Sequence, residues 1–140
     1  MNAYEHTQSG TLIIRVTLLA AAALAVGGCF VPQLFIPVPI LLVTAWVFRS
    51  LTIEISGDKL RWQFGSGLVA KRVLLEEIAS VKAVRTNFMQ GWGIHWTRYG
   101  WLYNVAGNDA VVITLRNGKK FALGTDEPEV LCAIIQQNLR

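Results

Sequence analysis

The residues able to do chemistry in this 140-residue chain are few and scattered. General acid–base catalysis needs a base within hydrogen-bond reach of the proton it moves, and a metal site needs several converging His, Cys or carboxylate ligands. His6 lies in the N-terminal tail. His95 has no second His, no Cys and no carboxylate at ligand spacing, so a hydrogen-bonded or solvent-facing imidazole is expected there. Ser9, Ser50, Ser56, Ser66 and Ser80 sit in no nucleophile-elbow setting. Glu54, Asp58, Glu76, Glu77 and Asp109 belong to strands and turns, with nothing to pair them. The glycines of GSG (65–67) and GWG (91–93) lack a Walker lysine and the length of a dinucleotide fingerprint. Cys29 falls in an apolar run and Cys132 near the C-terminus, which argues for separate compartments and no disulfide. The expectation is a protein that is not an enzyme, with no catalytic residue, metal, cofactor or small-molecule substrate.

Binding is a better use for what remains. Met89 to Val105 carries three tryptophans and two tyrosines in seventeen residues. Glycines 91, 93 and 100 interrupt any helix, and the tryptophans do not follow a two-residue strand period. The stretch up to Trp101 reads as a long ordered loop, because burial of so many aromatics opposes disorder. Either its tryptophans pack into the domain, with Arg98 stacked beside them, or Trp92, Trp96, Arg98, Tyr99 and Trp101 contact a partner or the membrane interface. A second candidate set is cationic. Lys59 and Arg61 share a strand face, and Lys71 and Arg72 follow on the next strand. They are either a solvated face or a contact with anionic lipid, each cation then contributing about 1 kcal/mol. A formal net charge of +4 is modest, and no RNA- or DNA-binding motif accompanies it, so no nucleic-acid partner is expected.

These residues must be held by the elements around them. Val16 to Phe48 contains no charged residue and no histidine. One helix over that run would reach about 50 Å at ~1.5 Å per residue, too long for a hydrocarbon core of about 30 Å. Gly27, Gly28, Pro32, Pro37 and Pro39 also break it. Two spans joined by a tight turn are expected, near 12–30 and 34–48, with a shallow re-entrant hairpin as the alternative. Arg15 before the run, and Arg49, Lys59 and Arg61 after it, place both ends in the cytoplasm by the positive-inside rule. VGGC (26–29) loosely resembles a lipoprotein cleavage box, but the n-region is poorly basic and a second apolar stretch follows at once. Residues 1–50 thus read as a tail and two-helix membrane anchor, and 51–140 as a folded domain.

In that domain LTIEI (51–55) and KLRWQF (59–64) alternate around SGD, and LVAKRVLL (68–75), IASVKAVR (78–85), WLYNV (101–105), AVVITLR (110–116) and KFALG (120–124) read as further strands. Asn117-Gly118 predicts a type I′ hairpin turn. Asp126, Pro128 and Glu129 predict a capped helix start, and Leu131, Ile134, Ile135 and Leu139 give it one apolar stripe. The expected fold class is membrane-anchored α+β: an N-terminal transmembrane helical hairpin, then an antiparallel β-sandwich or barrel of six or seven strands with a C-terminal capping helix.

That order of short strands closed by one helix resembles the pleckstrin-homology fold. The run GWGIHWTRYGWLYNVAGNDAVVITLRNGKKFALGTDEPE, Gly91 to Glu129, is similar to the C-terminal half of bacterial pleckstrin-homology-like (PH-like) proteins. Small bacterial members of that group carry two membrane spans directly before the domain. The resemblance implies a bacterial PH-like domain protein of the inner membrane, and it implies no activity. Eukaryotic relatives of the fold bind phosphoinositides through cations near their first strands, which makes Lys59, Arg61, Lys71 and Arg72 suggestive positions. The functional expectation is a multi-pass, membrane-tethered interaction module that binds an unidentified membrane protein or a second copy of itself. The alternative is lipid sensing through the tryptophan stretch and the basic strands.

Overall fold

The structure is a computed structural model that describes residues 4–86 and 93–139. Among the described residues, nine strands form two sheets. β1 (Tyr4–Ser9), β2 (Ser50–Ser56), β3 (Lys59–Phe64) and β4 (Val69–Leu74) make an antiparallel sheet in sequence order. β5 (Ile78–Arg85), β6 (Gly93–Thr97), β7 (Gly100–Asn104), β8 (Asp109–Leu115) and β9 (Lys120–Gly124) make the other, ordered β5-β8-β9-β7-β6. The expectation of an all-antiparallel sandwich is corrected at one seam: β7 runs parallel to β9.

Alternation along β2 and β3 turns Leu51, Ile53, Ile55, Leu60, Trp62 and Phe64 inward. They meet Val111, Ile113 and Leu123 of the second sheet in one core. The C-terminal helix α3 (Pro128–Asn138) closes this core with Leu131 and Ile135, so its apolar stripe works as its spacing predicts. Its expected capping box does not form. Asp126 faces His6 instead, 2.5 Å from Nε2, and the helix starts at Glu127 without a side-chain cap. The Asn-Gly turn also differs, because Gly118 has a positive φ and Asn117 does not. The loop is therefore not type I′; the Asn117 side chain accepts from the Lys119 amide.

The largest surprise precedes the apolar helices. Residues 4–9, read as tail, form a strand paired with β2 from Tyr4↔Ile55 to Ser9↔Ser50. The apolar segment is thus inserted between two neighbouring strands. It consists of α1 (Thr11–Gly28), a 3₁₀ turn (Pro32–Phe35) and α2 (Pro37–Val47). The Gly10 amide donates to the Arg49 carbonyl at 2.8 Å, which ties the two ends of the insert together. A Cβ on Gly10 would press on the Phe48 carbonyl, so the close approach requires glycine.

Among the described residues, α1 is the one helix long and apolar enough to cross a membrane. Its eighteen residues reach about 27 Å, whereas the eleven of α2 reach only about 16 Å. The two expected spans are therefore reduced to one candidate by length. Both helices nevertheless leave large apolar side chains outward, among them Leu19, Val26, Ile40, Val43 and Trp46. Kept in water, each would forgo ~1.5–3 kcal/mol of burial, which a bilayer would supply.

Candidate functional site

From Gly93 to Asn104 the tryptophan stretch is a hairpin rather than the expected loop. β6 pairs antiparallel with β7, placing Trp96 directly opposite Trp101. Their rings meet edge to face at 5.4 Å. Trp96 is 71% exposed and Trp101 47% exposed, against 4% for Trp62 in the core. Gly100 makes the hairpin possible: its φ is +85°, and a Cβ there would overlap the Lys120 carbonyl. That contact lays β7 against β9 and sets Trp101 beside Phe121.

Both tryptophans border a cleft of about 650 Å³ between the edge strand β4 and the β6–β7–β9 side of the second sheet. Its aromatic wall is continuous. Trp62 stacks on Phe121 at 4.8 Å and meets Tyr103 edge to face at 5.4 Å. Lys71, Arg72, Lys119 and Lys120 also line it, and no carboxylate does. Lys71 stands opposite Trp62 in the β3–β4 ladder and so points to the inner face of its sheet. Its Nζ lies 5.7 Å from the centre of the Tyr103 ring.

Comparison with known proteins adds nothing to this geometry. No family model matches the chain, and no curated protein is similar to it. The site therefore rests on its own residues.

Two of the nine candidate residues, Trp96 and Trp101, come together as an exposed pair; Lys71 joins them at the cleft, and Arg72 borders it from the outer face of the first sheet. The others are elsewhere. Arg98 stacks on Tyr99 at 4.9 Å rather than on a tryptophan. Tyr99 packs against Leu102, Val112 and Ala122. Lys59 and Arg61 lie on the outer face of the first sheet, beside Glu54 and Asp58. There a cross-strand row runs Glu5, Glu54, Arg61, Arg72, so the cations share their face with carboxylates. Trp92 lies outside the described residues. Sequence reasoning missed Trp62, Tyr103, Phe121, Lys119 and Lys120. The available signal was Lys119-Lys120-Phe121 directly after the Asn-Gly turn, which presents two cations and a ring at one strand start.

The cleft also has a direction. Gly93, at the start of β6, sits beside the Phe48 ring at the base of the helices, and Val105, just after β7, sits beside Gly10. Trp96 is three residues along β6 from that base, about 10 Å away at ~3.3 Å per residue. The exposed tryptophans therefore lie toward the end of the domain remote from the apolar helices.

Proposed function

We propose that this chain is a non-enzymatic, membrane-tethered interaction module of PH-like build at the cytoplasmic face of a bacterial inner membrane. The plan of four strands, then β5, β8 and β9, then α3, supports the PH-like reading, with the helical segment and the β6–β7 hairpin as two insertions. Because Gly10 and Arg49 are hydrogen-bonded, a chain that enters the bilayer along α1 returns beside its point of entry. That favours a hairpin with both ends on one side, and the flanking Arg15 and Arg49 favour the cytoplasmic side. The 3₁₀ turn and α2 together add up to about 25 Å, close enough to the ~30 Å core for local thinning to absorb the difference. Arg49, stacked at 5.9 Å on Trp46, suits the interfacial end of such a span.

One observation carries the functional reading: an exposed tryptophan pair stands on a hairpin at the end of the domain remote from the apolar helices. Aromatic anchors of this kind dominate protein interfaces, and the distance from the helix base disfavours a second contact with the same bilayer. The partner is a membrane protein or a second copy of this chain, held at high effective concentration by the shared membrane. A photo-crosslinking residue in place of Trp96, in native membranes, tests this. Protein adducts that disappear with Trp101→Ala are expected. Adducts to lipid alone would overturn the reading in favour of lipid sensing.

A further inference from the structure

The geometry points to a ligand site: the cleft between β4 and the β6–β7 hairpin binds a small organic anion, a carboxylate or phosphate ester on a flat apolar body. Three independent features define that ligand. The first is shape, since about 650 Å³ lies within the ~300–1,000 Å³ range of small-molecule sites. The rings of Trp62, Phe121 and Tyr103 offer flat and edge-on surfaces, and Trp96 and Trp101 continue them to the mouth. Flat apolar bodies pack against such surfaces by offset stacking.

The second feature is charge. Lys71 and Lys119 bring positive charge to one opening from two different sheets, with no carboxylate among the lining residues, while Arg72 and Lys120 border it from strand positions that alternate to the outer faces. On the outer face of the first sheet, by contrast, Lys59, Arg61 and Arg72 stand beside Glu54 and Asp58. An anion in the cleft would relieve this mutual repulsion, and partial exclusion of water by the rings would strengthen the attraction. Lys71 is the best placed, because its strand register turns it inward and the Tyr103 ring holds its ammonium.

The third feature is an unmet donor. The indole N–H of Trp62 is buried and has no acceptor among the described residues. A buried donor without a partner costs about 1–3 kcal/mol. The N–H is closed to solvent, so an acceptor reaches it only if the neighbouring rings shift, and the cations at the rim are the groups a ligand meets directly.

This inference does not depend on the partner reading, since an anion can fill the cleft whether or not the hairpin docks a protein. The test uses the full chain, labelled with 5-fluorotryptophan, in phosphatidylcholine nanodiscs. Fluorine resonances are followed during titration with 2-naphthoate, 2-naphthyl phosphate and uncharged 2-naphthamide. At least one anion is expected to shift the Trp62, Trp96 and Trp101 signals saturably and to bind about tenfold tighter than the amide. Lys71→Met, which keeps the stem over Tyr103, should remove most of that margin and leave the amide's affinity unchanged. Equal binding of anions and amide would overturn the proposal. So would shifts confined to Trp46 in α2, which report partition into the bilayer, or the absence of saturation.

Discussion

Tryptophan serves three purposes in this molecule, and side-chain environment separates them. Trp62 is a core residue wedged between Phe121 and Tyr103, Trp46 faces outward from an apolar helix, and Trp96 stands exposed on a hairpin beside Trp101. Truncating Trp62 to alanine should cost about 3–5 kcal/mol of domain stability. Trp96→Ala should change it by no more than ~0.5 kcal/mol, as surface substitutions do. Denaturant unfolding of the two variants checks this, and equal losses would contradict the assignment. Tyr4 offers a pH-dependent counterpart. Burial raises its phenol pKa, and the hydrogen bond to Glu127 at 3.1 Å and the charges of Glu127 and Asp126 raise it further. A raised folded-state pKa means that the tyrosine's contribution is complete below pH ~10, where a free phenol begins to ionise, and is lost as pH climbs above it. Stability measured from pH 8 to 12 should fall across the upper part of that range, and less so in Tyr4→Phe.

Elements with a local signature could be read from the chain, and elements made by distant pairing could not. β5 and β9 have the predicted bounds because β-branched residues and turn signals frame them, and α3 follows from its apolar stripe. β1 escaped because YEHTQS carries little apolar pattern; it is a strand only through pairing with β2 across the whole helical insert. β6 was hidden by its flanking glycines, and the parallel β7–β9 seam needs Gly100 against Lys120, a contact between separate hairpins. The candidate site divides the same way. Trp96 and Trp101 were visible as a dense cluster, whereas Trp62, Phe121 and Tyr103 become its wall only when two sheets pack. Among the elements, the apolar hairpin makes the sharpest prediction. Cys29 caps α1 at the tip and is exposed, while Cys132 lies on α3. If the hairpin crosses the bilayer, a membrane-impermeant maleimide should label Cys29 from outside intact cells and Cys132 only after permeabilisation. Protection of Cys29 from outside would mean a shallow re-entrant hairpin.

The whole molecule is organised around one junction, where β1 enters the helices and β2 leaves them within a single hydrogen bond. That junction fixes the sandwich to its apolar insert, so the bearing of every strand relative to the helices is set there. The helix end of the domain is then built from Phe48, Gly93 and Val105, and the opposite end carries the tryptophan hairpin and the cationic cleft. His6, held to Asp126, links β1 to the segment just before α3. We expect this to place the aromatic cleft in water rather than against lipid. Electron paramagnetic resonance of a spin label at position 96, in nanodiscs, measures it directly, with a label at outward-facing Leu19 of α1 as reference. The account predicts that the label at 96 is relaxed by a water-soluble nickel chelate and little affected by lipid-dissolved oxygen, with the reverse at position 19. A lipid-like oxygen response at both positions would contradict it.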